Sequence, residues 1–110
     1  MNKAAGLLSI AAKAGKVVSG SETVMEEIRK KRAKLVILSE EASANTRKQF
    51  QDKASYRDIP VTVFGSSEDL GRAIGKGSRV VLCVLDEGLS KSILKVTREN
   101  EKQFGENENL

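Results

Sequence analysis

The sequence predicts an α/β domain in which a sheet lies between helices. Two observations point there. Short apolar runs, LVIL at 35–38, VTVF at 61–64 and VVLCVL at 80–85, alternate with stretches whose apolar residues recur at helical spacing. The first and last runs lack strict alternation, as strands covered on both faces do. No internal repeat or interdomain linker interrupts this order, so the 110 residues read as one domain. The expected order is α-β-α-β-α-β-α-β-α, an alternation that sandwiches a sheet between helices.

Each element has its own reason. Residues 3–14 form the first helix, with Leu7, Leu8, Ala11 and Ala12 on one face. This segment, MNKAAGLLSIAAKAGK, has one Lys ahead of small apolar residues, as signal peptides do. The apolar run is short and broken by Ser9 and Lys13, so a helix of the folded domain is the better reading. KVVS at 16–19 is a weak strand. Residues 21–32 give the second helix, with Val24, Met25 and Ile28 inward and Glu26–Lys30 and Glu27–Lys31 paired on the other face. Residues 43–56 give the third, with Ser43 as a cap. Residues 67–74 give a short fourth, capped by Ser66 or Ser67, with Leu70, Ala73 and Ile74 inward. Pro60 stands just before its strand, where a strand tolerates it. Residues 88–103 give the fifth helix, with Leu89, Ile93 and Val96 on one stripe, and the polar, acidic end is expected to fray.

Composition narrows the function. The chain has no His, which removes the Ser-His and Cys-His nucleophile systems and the usual imidazole metal ligands. The single Cys83 cannot form an intramolecular disulfide, lies within an apolar strand, and points to a reducing cytoplasm. No apolar run approaches the roughly 18 residues of a membrane helix. Net charge is +4 and uneven: +5 over residues 1–35, +2 over 36–98 and −3 over 99–110. A basic body with an acidic end suits a polyanion such as RNA, although ordinary solubilising charge would look the same.

Four stretches could carry chemistry. In SGSETVMEEI, Gly20 can take positive φ or admit a ligand to the backbone, and the following helix start offers unpaired N–H donors. Plain capping by Ser19 or Ser21 is the simpler alternative. Neither G-x-x-x-x-G-K-[ST] nor G-x-G-x-x-G occurs, so no nucleotide fingerprint supports this turn. In GRAIGKGSR, residues 75–79 make a flexible basic connection in which Lys76 and Arg79 could meet phosphates, or simply an exposed loop after Gly75 ends a helix. The cluster Arg29-Lys30-Lys31-Arg32 with Lys34 sits at the far end of the second helix from Gly20, and reads as mainly structural and solvating. In SEEASANTRK, Asn45, Thr46, Arg47 and Lys48 could reach a ligand near the sheet edge. Glu40 and Glu41 could be a metal or acid–base pair, or could merely flank a strand end. Phe50, Tyr56, Phe64 and Phe104 do not cluster, which argues against a base-stacking sheet platform and favours structured RNA read through backbone and groove edges.

Taken together, AGKVVSGSETV, KLVILSEEAS and DIPVTVFGSSEDLGRAIGKGSRVVLCVLDEG resemble the kink-turn-binding ribosomal protein family of archaeal and eukaryotic large subunits, and most closely its small bacterial YlxQ-like members. The resemblance spans about Leu7 to Ile93. It implies a three-layer αβα sandwich with a four-stranded mixed sheet, no catalysis, no cofactor and no metal. It also implies binding of kink-turn RNA, a sharply bent duplex with tandem sheared G·A pairs. The family's RNA-binding turn reads Gly-Thr-Asn-Glu, with a Lys three residues later. The matching positions here are Gly20, Ser21, Glu22, Thr23 and Glu26. Gly20 keeps the family residue and Ser21 is close to Thr, whereas Glu22, Thr23 and Glu26 depart from it. A carboxylate accepts hydrogen bonds, cannot donate them, and repels phosphates. The family's second contact loop is often apolar, and here it is basic.

The resulting expectation is a monomeric, non-catalytic cytoplasmic protein, with residues 1–103 as one RNA-binding domain and 104–110 as an acidic flexible tail. The RNA contacts would come from Ser19, Gly20, Ser21, Glu22, Thr23, Glu26, Asn45, Arg47, Lys76, Gly77, Ser78 and Arg79, with structured RNA, ribosomal RNA included, as partner and no membrane involved. The alternative is a protein-interaction module on the same fold with weakened RNA binding. A small phosphate-ligand enzyme built on the Gly20 turn is a third reading, but it lacks an accompanying acid–base set.

Overall fold

The computed structural model describes the backbone of residues 3–108 and the side chains of residues 3–98. Five helices and four strands alternate: α1 (Lys3–Lys13), β1 (Val17–Ser19), α2 (Ser21–Arg29), β2 (Leu35–Leu38), α3 (Ala44–Ser55), β3 (Val61–Val63), α4 (Ser67–Ala73), β4 (Val81–Val84) and α5 (Glu87–Glu108). The sheet order is β1-β4-β2-β3. β4 runs antiparallel to both β1 and β2, and β2 runs parallel to β3, so the sheet is mixed.

Side chains of the central strands alternate between two cores, as the two-residue period of a strand requires. Val36, Leu38, Val81 and Cys83 pack with Val24, Met25 and Ile28 of α2 and Phe50 and Ala54 of α3. Leu35, Ile37, Leu82 and Val84 pack with Leu8 of α1, Leu70 of α4 and Ile93 of α5. The result is the expected αβα sandwich, with α2 and α3 on one face and α1, α4 and α5 on the other. β2 and β4 are buried on both faces, which explains their unbroken apolar runs. Fully burying one such aliphatic side chain stabilises the fold by about 1.5–3 kcal/mol. Burial also pushes the Cys83 thiol up to about 12, leaving it protonated and unreactive.

The register gathers several loops at one end of the strands. Ser19 lies opposite Leu82, Leu38 opposite Val81, and Leu38 beside Val63. The ends of β1, β2 and β3 and the start of β4 therefore lie together at one end of the sheet, an edge that runs across the strands rather than along β1 or β3. All four loops that leave or enter there meet.

Boundaries follow local chemistry. Ser43 and Ser66 cap α3 and α4 by accepting hydrogen bonds from the Thr46 and Asp69 amides. Asp86 does the same for α5, accepting from the Leu89 amide at 2.8 Å, a cap the apolar pattern does not reveal. α5 runs on to Glu108, five residues past its expected end. Helical backbone thus enters the 104–110 segment expected to be a flexible tail, whose side chains lie outside the described residues. α2 stops at Arg29 rather than at 32. Lys31 takes a left-handed φ of 58°, and the Arg32 and Ala33 amides both turn back to the Glu27 carbonyl.

That early stop changes one expected pair. Glu27 is buried rather than outward-facing and cannot meet Lys31 at helical spacing. It accepts instead from both Nε and a terminal nitrogen of Arg32, at 2.8 and 2.7 Å. Glu26 pairs with Lys30 as expected, at 3.2 Å. The two-point Arg32 hydrogen bond outweighs desolvation and holds the Glu27 carboxyl below its ordinary value of 4.5. A depressed carboxyl pKa stabilises the fold above the unfolded-state value, and that stability is lost as pH falls through the folded-state value. The stability gap between the native chain and Glu27→Gln, read from urea midpoints, should therefore stay constant above about pH 5 and shrink as pH falls below about 4.5.

Gly71 has no room for a side chain. A Cβ there would collide with the carbonyl group of Gly77, where the loop before β4 folds back on α4. Gly71→Ala should cost about 1–3 kcal/mol of stability, the usual penalty for overpacking, measured by denaturant unfolding.

Candidate nucleic-acid interface

The β1–α2 turn is built from backbone first. Gly20 occupies the N-cap position of α2 with φ 98° and ψ 142°, a conformation that disfavours any L side chain. No neighbour crowds its Cα, so the dihedral alone calls for glycine. Its amide donates to the Val81 carbonyl at 3.0 Å, continuing the β1–β4 ladder, and its carbonyl accepts the first helical bond from Val24 at 2.9 Å. No side chain caps α2, contrary to the expectation that Ser19 or Ser21 would do so. The amides of Ser21, Glu22 and Thr23 are the first-turn donors that have no intrahelical acceptor. They stand on exposed residues at the positive end of the helix dipole.

Ser19 is taken up elsewhere. Its hydroxyl accepts from Arg79 Nε at 3.0 Å, sixty residues away. Arg79 also donates from one terminal nitrogen to the carbonyls of Gly77 and Ser78, at 3.2 and 3.0 Å. One guanidinium thus folds its own loop and ties that loop to the Gly20 turn. The planar fork of Arg suits this divided task, and a Lys ammonium could not reproduce it.

The loop itself follows from α4. Gly75 ends that helix with φ 73°, and the Lys76 amide returns to the Gly71 carbonyl at 2.8 Å, the αL ending expected of it. The chain then runs back along α4, over Gly71, until the Arg79 amide reaches the Ser67 carbonyl at 2.9 Å. Lys76, Gly77 and Ser78 are left exposed.

Ser67 joins a third loop to the first two. Its hydroxyl donates to Ser39 Oγ at 2.9 Å, and its amide donates to a Glu41 carboxylate oxygen at 2.5 Å. Ser39 Oγ in turn accepts from the Glu41 amide at 2.8 Å. Glu41 is therefore a tether at the start of α4. Among the described residues, no group of His, Cys, Asp and Glu side chains could hold a metal ion.

The Arg79–Ser19 hydrogen bond sets the turn that carries Gly20, Ser21, Glu22 and Thr23 beside the loop that carries Lys76, Gly77 and Ser78. Asn45 and Arg47 lie in the first turn of α3 at the same edge. The Arg47 guanidinium donates to the carbonyls of Ala42 at 3.1 Å and Glu40 at 2.7 Å, so it folds the 39–43 loop. Asn45 is exposed in the first turn of α3. Glu26, one helical turn beyond Glu22, pairs with Lys30 at 3.2 Å and with Arg29 at 3.7 Å. Glu22 has no ion-pair partner among the described residues. Among the supports of the edge, sequence reading gives no role to Ser39 and Gly71, and gives Glu41 and Ser67 other roles, a carboxylate pair and a helix cap. The serine and glycine spacing in SSEDLG was the available signal.

A family model described as the ribosomal protein L7Ae/L30e/S12e/Gadd45 family matches residues 2–94. RNA-binding protein YlxQ of Bacillus subtilis is 47% identical over 90 residues, spanning 82% of this chain and 90% of that one. Large ribosomal subunit protein eL30 of Methanopyrus kandleri is 33% identical over 97 residues, spanning 86% and 89%. Among solved structures, a Bacillus halodurans protein superposes with a TM-score of 0.86 at 39% identity, over 89% of this chain and 99% of its own. The Giardia lamblia 15.5kD RNA binding protein shares the fold, with a TM-score of 0.76 at 18% identity over 86% and 84%. By the extent of these matches and by its own architecture, the chain belongs to the ribosomal protein L7Ae/L30e/S12e/Gadd45 family.

Proposed function

We propose that this protein is a non-catalytic RNA-binding protein that grips a sharply bent, kink-turn-like RNA at the edge formed by the Gly20 turn and the 75–79 loop. The observation that carries the reading is the Arg79–Ser19 hydrogen bond, which makes two distant segments one continuous surface. Relatives named for RNA binding and for the large ribosomal subunit support it. In this reading the protein acts as a monomer in the cytoplasm, and ribosomal RNA is a natural partner.

Each residue has a task that its chemistry suits. The amides of Ser21, Glu22 and Thr23 donate to phosphate oxygens or base acceptors at the start of α2. Ser21 and Thr23 add hydroxyls that donate or accept. Glu22 accepts only, which fits the amino group that guanine presents in the minor groove. Lys76 and the outer nitrogen of Arg79 meet phosphates on the far side of the bend. The exposed, unpaired Glu22 also favours a second reading, a protein partner on the same edge. Nuclease treatment of a co-purified complex separates the two, because only an RNA-dependent partner is released.

Two measurements test the RNA reading. Arg79→Ala should weaken binding to a kink-turn RNA and lower the salt slope of log affinity by about one phosphate contact. Arg79→Lys should keep that slope and still lose affinity. Unchanged affinity and slope in Arg79→Ala, on bent and straight duplexes alike, would overturn the assignment. Glu22→Gln keeps a carbonyl acceptor for the guanine amino group, removes a negative charge that repels nearby phosphates, and should tighten binding several-fold at low salt. Glu26→Gln should change it less, since Lys30 and Arg29 already offset that carboxylate.

A further inference from the structure

At the edge opposite the Gly20 turn, α2 ends, β2 begins and α5 starts. A groove of about 460 Å³ lies there, lined by Lys31, Lys34, Arg57 and Lys91 against Asp58 and Glu87. Lys91 pairs with Glu87 at 3.6 Å. Lys31 and Lys34 are exposed and have no carboxylate partner among the described residues. Lys31 and Asp58 hold left-handed φ values of 58° and 57°, so the turns after α2 and α3 shape the groove. Ser90 also lines it, and its buried hydroxyl has no hydrogen-bond partner among the described residues, a polar group left for a bound water to satisfy.

Beside the groove stands Tyr56, at 85% exposure the most solvent-open large apolar side chain among the described residues. It contributes nothing to either core. The Arg57 guanidinium sits 5.3 Å from its ring centroid, and also donates to the Lys53 carbonyl at 3.3 Å. A solvent-open ring backed by a cation is a surface on which a nucleobase stacks. Cations alone would suit any polyanion. The ring beside them selects a ligand that alternates flat bases with phosphates.

We propose that this second edge binds an unpaired RNA segment, with one base stacked on Tyr56 and its flanking phosphates on Arg57, Lys31 and Lys34. The nine residues of α2 separate the two edges by about 13 Å at 1.5 Å per residue. One molecule thus holds a bent duplex at one edge and a neighbouring single strand at the other. The choice of RNA rests on the proposed function, whereas the site itself shares no side chain with the Gly20 edge.

The test uses the full chain carrying Tyr56→Trp, which places a single indole at the site in a chain that has no other Trp. Its fluorescence can be excited to the red of nucleic-acid absorption. A short unstructured RNA should quench it saturably, and inorganic polyphosphate should bind without comparable quenching. In the native background, Tyr56→Ala and the double variant Lys31→Gln/Lys34→Gln should each lower affinity for that RNA about tenfold. Arg79→Ala should leave that affinity unchanged. A loss of kink-turn binding with the quenching intact would count only against the first edge. The second site is overturned if the RNA leaves the indole unquenched, if polyphosphate quenches it equally, or if only an acidic peptide binds.

Discussion

The Arg79 guanidinium is the constraint on which the candidate interface depends. Its Nε reaches Ser19 across the β1–β4 edge while a terminal nitrogen closes on its own loop carbonyls. Without it, the Gly20 turn and the 75–79 loop would be neighbours with no side-chain bond between them. Arg79 can reach Ser19 because its amide is anchored to Ser67. Ser67 is in turn held by Ser39 and Glu41. Three loops are therefore locked by hydrogen bonds between segments that are far apart in sequence. Part-burial of these bonds makes each one costly to leave unmade. An edge ordered in this way would spend little further ordering free energy on binding the RNA proposed for it.

The charge arrangement divides the molecule. At the Gly20 edge, attraction comes from backbone amides and two cations, moderated by Glu22. At the opposite edge, lysines and an arginine gather around a groove, and only part of that charge is offset by acids. Much of the basic cluster after α2 is nonetheless structural. Arg32 is committed to Glu27, and Arg29 and Lys30 to Glu26. Net charge alone therefore overstates what is available to a polyanion, and the two unpaired lysines matter more than the total of +4.

Much of the fold was legible because it rests on local patterns. The apolar runs mark β2 and β4, Ser43 and Ser66 mark helix starts, and Gly20 and Gly75 mark turns of positive φ. The end of α2 was not legible, since nothing in IRKKRA announces that Lys31 turns left-handed and Glu27 pairs with Arg32. The site was half legible. Its location followed from the resemblance and from Gly20, yet the work of individual side chains did not. Ser19 looked like a helix cap and serves Arg79, and Arg47, read only as a candidate ligand contact, also folds its own loop. Those roles depend on contacts across five to sixty residues that no local pattern encodes.

Chemical-shift mapping of the isotope-labelled protein against a short kink-turn RNA addresses the shared cradle directly. If the two segments form one binding surface, the amides of residues 20–24 and 76–80 should shift together and saturate at the same RNA concentration. Saturation of one segment while the other stays unmoved, or shifts confined to other faces of the sandwich, would contradict a single cradle.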